Sequence, residues 1–400
     1  MTILFISDNF PPEYNAPATR TYEHCKEWVQ RGAKVVVITC APNFPKGEVY
    51  EGYKNRWKQI EYMDGIKVIR VWSFITANSG FFKRTLDFIS FAMTSFLCGL
   101  TVKCDIIVAT SPQFFTAVSG CMLGFFKRKR WVMEVRDLWP ESIKAVDAVQ
   151  ADWIIRALEK LELFLYKTAY KIVVVTDSFK RNLVERGIRA EKIFVVKNGV
   201  VLSNFKPNGK NQSILQELSL QKKFMVGYIG THGLAHSLDF IIRSASKIQD
   251  PSIHFIFIGD GAEKANIVNL SKELALSNVT FIDPVKKSEI HQYLSTLDIA
   301  LVPLKKSTTF ESVIPSKIFE SVAMNLPILL GVDGETRAII ESYNAGLFFE
   351  PENESEFLAK LINMKQEIQN NNPYVSGCQK MAFDFDRKNL AKQMLDILSN

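Results

Sequence analysis

The chain has 400 residues, 45.5 kDa, 47% hydrophobic and 23% charged side chains, which excludes a disordered, collagen-like or disulfide-dense protein and leaves room for two domains. Its net charge of +7 is uneven: residues 1–200 carry 29 Lys+Arg against 20 Asp+Glu, and residues 201–400 carry 20 against 22. One half is therefore expected to meet an anionic partner, with a membrane surface, a lipid phosphate and nucleic acid as candidates.

In chain order, Ile3–Ile6 reads as a buried strand, and a helix follows from about Thr19 to Arg31, ended by Gly32. The opening Met1–Asp8 lacks the basic start and long apolar run of a signal peptide. Lys34–Thr39 is the next strand, and strand-like runs recur at Ile66–Val71, Asp105–Ala109, Trp131–Val135, Ile172–Val175 and Ile193–Val196. The uncharged runs Phe88–Val102 and Ile106–Phe126 invite a membrane test. The first falls short of the roughly 20 residues a span needs, and Thr110–Gln113 breaks the second into a strand and a helix. Trp153–Tyr170 and Ser178–Arg186 read as helices. Runs of β-branched residues without alternation fit strands buried on both faces, and strand–helix repetition gives a parallel sheet.

Lys197–Lys210 is rich in turn formers, with Asn198-Gly199 the sharpest signal, and reads as an interdomain linker. The alternation then restarts: strands at Phe224–Ile229, Ile253–Ile258, Val279–Phe281, Ile299–Val302 and Ile328–Leu330, with helices at His236–Ile248, Ala262–Leu274, Ser288–Ser295 and Ser316–Met324. The expected class is α/β, two Rossmann-like doubly wound domains facing each other across a cleft, at residues 1–200 and 201–385. Residues 386–400 form a terminal amphipathic helix that could pack back on the first domain. The six cysteines are scattered with no CxxC pair, so they read as reduced thiols of a cytoplasmic protein.

Five segments could carry chemistry. Gly227–Asp239 is a strand, a glycine-rich turn and a helix, a pattern that lets backbone approach phosphate oxygens; Gly230, Thr231, His232, Gly233 and His236 are its candidates. A tight turn with surface histidines is the competing reading. Gly259 and Asp260 sit in a second such turn, common in α/β proteins. In Ile314–Ile328, Pro315 suits a first helical turn, which sets Ser316 and Lys317 at exposed amide donors. Glu320 lies one turn on, where a carboxylate can accept from a ribose diol or simply face solvent. Arg136 and Asp137, after a first-domain strand, are an Arg–Asp pair that is either functional or structural, as is the Trp139-Pro140 corner. Finally, Phe81–Arg84 and Phe125–Trp131 interleave aromatics with Lys83, Arg84, Lys127, Arg128, Lys129 and Arg130. This suits an anionic membrane surface, each basic side chain being worth about 1 kcal/mol there. No finger, helix-turn-helix or RNA-recognition pattern supports nucleic acid, and a solvated charge run remains the plain alternative.

Taken together these segments resemble retaining glycosyltransferases of the GT-B fold, family 4. The resemblance rests on Phe5–Glu13, Lys197–Val200 and Pro315–Glu320, and it leans through Arg136–Pro140 and Gly227–His236 toward bacterial capsule and O-antigen N-acetyl-L-fucosamine transferases. It implies a UDP-sugar donor, a polyprenyl-diphosphate-linked saccharide acceptor, no metal and no cofactor, at the inner face of the plasma membrane. By position it implies Glu320 on the ribose, Ser316, Lys317 and the Gly230–Gly233 turn on the diphosphate, and Phe281 with Ile282 near the base. The resemblance also puts Arg136 and Asp137 where many members carry a His–Asp pair facing the reacting sugar, and leaves Lys317, His236 and Arg136 as the residues expected to neutralise the leaving group. The sequence departs from the family where the first of two glutamates falls on Ser312, where Thr231 and His236 replace an Arg and Lys, and where a diglycine reads Ala16-Pro-Ala18. A sugar-nucleotide 2-epimerase and a non-catalytic scaffold are the rival functions. A dehydrogenase lacks its glycine fingerprint.

Overall fold

The computed structural model describes residues 1–400 except 14, 45, 77–80, 112, 139–151 and 208, so the Trp139-Pro140 corner lies outside the described residues. The chain forms two compact units, Met1–Lys197 with Lys388–Asn400, and Asn198–Arg387.

The first unit is built on an eight-stranded sheet in the order β3-β4-β2-β1-β5-β6-β7-β8. Its strands are β1 (Thr2–Ile6), β2 (Lys34–Cys40), β3 (Lys58–Met63), β4 (Ile66–Val71), β5 (Ile106–Thr110), β6 (Arg130–Val135), β7 (Lys171–Val174) and β8 (Ile193–Val195). All pair in parallel except the edge strand β3, which is antiparallel to β4. The pleat sends alternate side chains to opposite faces. On one face Ile3, Phe5, Val37 and Val108 pack with Trp28 of helix α1 (Ala16–Gln30). On the other, Leu4, Ile6, Ile107 and Ala109 pack with Phe91 of α2 (Phe81–Leu100), Leu123 of α3 (Phe115–Lys127) and Leu165 of α4 (Asp152–Thr168). Asn15 caps α1 by accepting from the Ala18 amide at 2.8 Å. Helix α5 (Asp177–Glu185) precedes β8.

The second unit carries a six-stranded sheet in the order β11-β10-β9-β12-β13-β14, parallel throughout. It comprises β9 (Phe224–Ile229), β10 (Ile253–Ile258), β11 (Val279–Ile282), β12 (Ile299–Pro303), β13 (Ile328–Gly331) and β14 (Gly346–Phe348). Its helices are α6 (Gln212–Glu217), α7 (Leu238–Ala245), α8 (Lys264–Glu273), α9 (Ile290–Leu294), α10 (Lys317–Ala323), α11 (Glu335–Tyr343), α12 (Glu354–Asn370) and α13 (Val375–Asp384). The last helix, α14 (Arg387–Ser399), belongs to the first unit, where Leu390, Ala391, Met394 and Leu398 join the Trp28 core. The Trp28 indole donates to the Ala391 carbonyl at 2.8 Å.

Several elements differ from expectation. Strand β3 was not anticipated, because its sequence KQIEYM alternates and stays half-exposed at a sheet edge. Helices α11 to α13 and the three-residue β14 were also missed. The helix expected at His236–Ile248 is a 3-10 turn, Leu234–His236, and then α7; Ser237, at φ +45°, breaks it. The expected linker is partly structured: Val200 bridges to Asp386, and Leu202–Asn204 form a 3-10 turn. No helix among the described residues is long and apolar enough to cross a membrane.

Candidate functional site

In the second unit the strand order reverses at β9, which has β10 on one side and β12 on the other. Crevices at the carboxyl ends of such strands are where open α/β sheets take ligands. The turn after β9 meets the turn after β10 there. The Gly230 amide donates to the Ile258 carbonyl at 2.9 Å, the His232 amide to Asp260 at 2.8 Å, and the Glu263 amide to His232 at 2.9 Å. The two turns lie too close for side chains. A Cβ at Gly259 would sit 1.9 Å from the Gly230 oxygen, and one at Gly261 would sit 2.4 Å from the His232 oxygen. Both glycines also have positive φ, so they are needed for backbone packing whatever is bound.

Lys317, the first residue of α10, reaches beneath the Gly230 turn. Its ammonium is buried, has no hydrogen-bond partner among the described residues and lies 3.7 Å from the Tyr228 ring centroid. A Cβ at Gly230 would come within 2.9 Å of it. Burial pulls the Lys317 pKa down to about 7, against the opposing pull of Glu320. The cation–π contact with Tyr228 adds to the pull of Glu320 in compensating that burial. The Tyr228 hydroxyl donates to the Thr231 carbonyl at 2.6 Å, which ties the turn to the strand beneath it.

His232 is buried, and neither ring nitrogen has a partner. Burial, then Lys264 and Lys317, lower its pKa to about 4, with Asp260 opposing. His236 is likewise lowered to about 4 by burial and Lys317, although its bond with the Pro303 carbonyl pulls the other way. With pKa values of about 4, both histidines are neutral at pH 7 in the empty site, so His236 does not carry there the positive charge expected of it, and Lys317, at about 7, is the group that titrates near neutrality. Neutral imidazoles remain hydrogen-bond donors. Glu320 is shifted up by burial, with Lys287 and Lys317 acting against the shift.

Ser316 stands exposed at the start of α10, its side chain making no capping bond. Phe281 stacks on Phe257 with centroids 5.4 Å apart, so one ring face is covered. Ile282 accepts from the Gly259 amide at 3.1 Å. Both lie at the end of the edge strand β11, one strand beyond the Gly259 turn, where the Asp283 side chain pairs with Lys264 at 2.5 Å. Asp260 bonds back to the Gly261 amide at 2.9 Å.

Arg136 and Asp137 belong to the first unit and follow β6. Their amides donate to the Ser111 hydroxyl after β5 at 2.7 and 3.3 Å. Arg136 keeps two guanidinium nitrogens buried without partners among the described residues. Burial lowers its pKa to about 10 against the pull of Glu134. Burial raises the Asp137 carboxyl while Arg136 opposes the shift. Beside them, the buried Glu134 accepts from Arg20 at 3.0 Å, and Arg20 also donates to the Val196 and Lys197 carbonyls at 2.9 and 2.8 Å. Burial alone would raise the Glu134 carboxyl, but Arg20, Arg136 and His24 outweigh it and bring the pKa to about 2.

The structure thus gathers Gly230–Gly233, Gly259, Asp260, His232, His236, Lys317 and Glu320 in one unit, and Arg136 with Asp137 in the other. The two basic clusters fall at opposite ends of α2. Lys83 and Arg84 are in its first turn, and Lys127 donates to the carbonyl of its last residue, Leu100, at 2.9 Å. Sequence reasoning missed Tyr228, Lys264 and Lys287 here, and Arg20, His24, Glu134 and Ser111 in the first unit. Tyr228 was hidden inside an apolar strand pattern, and the others act across long sequence separations.

Known proteins carry the same two parts. Residues 15–199 match the family model described as "Glycosyl transferase 4-like domain", and residues 210–372 match "Glycosyl transferases group 1". The chain therefore carries a glycosyl transferase 4-like domain followed by a group 1 glycosyl transferase domain, and it is a glycosyltransferase. It is 22% identical to the putative colanic acid biosynthesis glycosyl transferase WcaI of Escherichia coli, over 81% of each chain. It is 27% identical to the putative teichuronic acid biosynthesis glycosyltransferase TuaH of Bacillus subtilis, over 50% of this chain and 49% of that one. Among solved structures, Alr3699/HepE of Anabaena in complex with UDP and glucose superposes with a TM-score of 0.72 at 16% identity, over 100% of this chain and 99% of that one. Sucrose-phosphate synthase of Thermosynechococcus elongatus does so with a TM-score of 0.73 at 14% identity, over 99% and 98%. The fold is GT-B.

Proposed function

We propose that the protein is a retaining, metal-independent family 4 glycosyltransferase. It moves a sugar from a UDP-sugar to a polyprenyl-diphosphate-linked saccharide in cell-surface polysaccharide assembly. An N-acetylated amino-deoxyhexose such as N-acetyl-L-fucosamine is the donor sugar that the sequence resemblance favours. The observation that carries this reading is Lys317, whose buried ammonium under a glycine turn has no hydrogen-bond partner among the described residues and only the charge of Glu320 in its favour. A buried unpaired charge is costly unless a ligand completes it. A diphosphate supplies the missing charge and accepts from the neutral His232 and His236. Glu320 accepts from the ribose hydroxyls. As the glycosidic bond to the donor breaks, Lys317 stabilises the charge that develops on the leaving diphosphate. Arg136 and Asp137 act on the acceptor side. HepE, whose fold is shared, has been solved with UDP, and the relatives named for colanic and teichuronic acid biosynthesis support a polysaccharide product.

A thermal-shift panel with UDP, GDP, UDP-N-acetylhexosamines and NAD, with and without EDTA, tests the donor assignment. A ligand at about 100 times its dissociation constant stabilises by about 2.7 kcal/mol. The expected result is a UDP-selective shift, unchanged by EDTA and lost in Glu320→Ala. The scaffold reading is favoured by Ser312, which stands where the family's first glutamate falls, and it predicts no shift with any nucleotide. Anomeric analysis of the product tests retention.

A further inference from the structure

Helix α2 buries one stripe against the sheet and leaves another bare. Leu86, Ile89, Met93, Leu97 and Leu100 are all exposed, at spacings of three and four residues, so they form one line along the last 15 residues of the helix. Phe125 and Phe126 at the end of α3 extend it; they are 78% and 62% exposed, and the Phe126 ring packs tilted against Phe96 of α2 with centroids 5.5 Å apart. On the other flank is the edge strand β3. Ile60 is 50% exposed and lies opposite Ile69, whose side chain is in the core under α2, so Ile60 shares that face.

The rim of this apolar strip is basic. Lys58 and Lys67 are close enough to α2 to lower the Cys98 thiol against the larger upward effect of its burial. Lys103 and Lys127–Arg130 bound the far end, and between Phe88 and Met133 Asp105 is the only acidic residue. An apolar stripe about 21 Å long, from Leu86 to Leu100, inside a largely cationic rim complements an anionic lipid surface in both parts, acyl boundary and headgroup. A protein partner burying the same strip would have to match a rim in which Asp87 and Asp105 are outnumbered by Lys and Arg.

We propose that this face of the first unit lies flat on an anionic bilayer, with α2 in the membrane plane and Met93, Leu97, Phe125 and Phe126 entering the headgroup–acyl boundary. The proposal deepens the lipid-linked acceptor reading above, yet its geometry is independent of the donor site. It also changes the role of the basic clusters: they orient and attract, while the apolar stripe anchors.

Cosedimentation with phosphatidylcholine vesicles, with and without phosphatidylglycerol, tests it. Wild-type protein should bind the anionic vesicles and keep most of that binding in about 1 M NaCl, where the screening length is only about 3 Å. Met93→Asp/Phe125→Asp should lose binding by roughly tenfold or more at every salt concentration. Lys127→Ala/Arg128→Ala/Lys129→Ala/Arg130→Ala should lose it mainly at low salt. Both variants should keep the wild-type thermal response to UDP, which separates a failed surface from a failed donor assignment. Absence of wild-type binding overturns the proposal, as does binding abolished by 1 M NaCl or indifferent to the aspartates. A dimer by light scattering that the aspartates dissolve, without vesicle binding, would assign the strip to a second copy instead.

Discussion

Both units hold buried charges at the carboxyl ends of their strands: Arg20 and Glu134 in the first answer each other, while Arg136 beside them and Lys317 in the second are left open among the described residues. In the first, Glu134 is met by Arg20, and Arg20 is further held by two carbonyls. In the second, Lys317 has an aromatic ring below it and no hydrogen-bond acceptor among the described residues. The first arrangement stabilises the fold by itself. The second is costly until something anionic arrives. Buried polarity therefore marks a ligand site only where the accounting is left open, and a search for buried charge alone would not separate the two.

This contrast can be broken by substitution. Arg20→Ala should be the largest effect, destabilising the fold by about 3–5 kcal/mol in urea melts because it strands a buried carboxylate. The surviving folded protein should bind UDP-sugar as the wild type does. The pair also sets an acid limit. The Glu134 pKa is lowered in the folded state, so its contribution is present above the unfolded pKa of about 4.3 and is lost as pH falls through about 2. Melts between pH 5 and pH 2 should show that loss, and Glu134→Gln should flatten it.

Lys317→Met should do the reverse. Donor affinity should fall roughly a hundredfold, about 2–3 kcal/mol, as a charge-assisted contact is removed. Stability should hold or rise, since an unpartnered buried ammonium has gone. A Lys317→Met protein that unfolds easily but binds donor normally would erase the contrast.

The smallest and sharpest test is pH. The empty site holds Lys317 with a pKa of about 7, whereas a bound diphosphate keeps it charged. UDP-N-acetylhexosamine affinity should therefore be flat below about pH 7 and fall about tenfold per unit above it, with one proton taken up on binding. His236 and His232 have pKa values of about 4 and should leave no inflection near 6.5. An inflection at 6.5 in titration calorimetry would return the charge to a histidine.

Much of the fold was legible because it is written locally. Runs such as KVVVIT and IHFIFI are buried on both faces and cannot be much else, and the turns after β9 and β10 announce themselves through glycine. The sites were legible by residue type and not by state. Nothing in Pro315-Ser-Lys-Ile-Phe-Glu320 says that the Lys317 ammonium is enclosed, because Tyr228, 89 positions earlier, does the enclosing. The Arg20–Glu134 pair spans 114 positions and left no pattern. Helix α2 shows the same limit from the other side. Phe88–Val102 reads as an uncharged core helix, and only the packed structure distinguishes Phe91, which is buried, from Met93, which is not.

The return of α14 to the first unit has a consequence for how the protein is made. Residues 198–387 leave the ribosome between that unit's main body and the helix that completes it. At about 5–20 residues per second, the Trp28 side of the first sheet waits roughly 10–40 s with the places of Leu390, Met394 and Leu398 empty. During that interval the nascent first unit offers a sticky apolar face to chaperones and neighbouring chains, while the second unit, contiguous in sequence, can close as soon as it emerges. The half that begins translation is the half that finishes folding last.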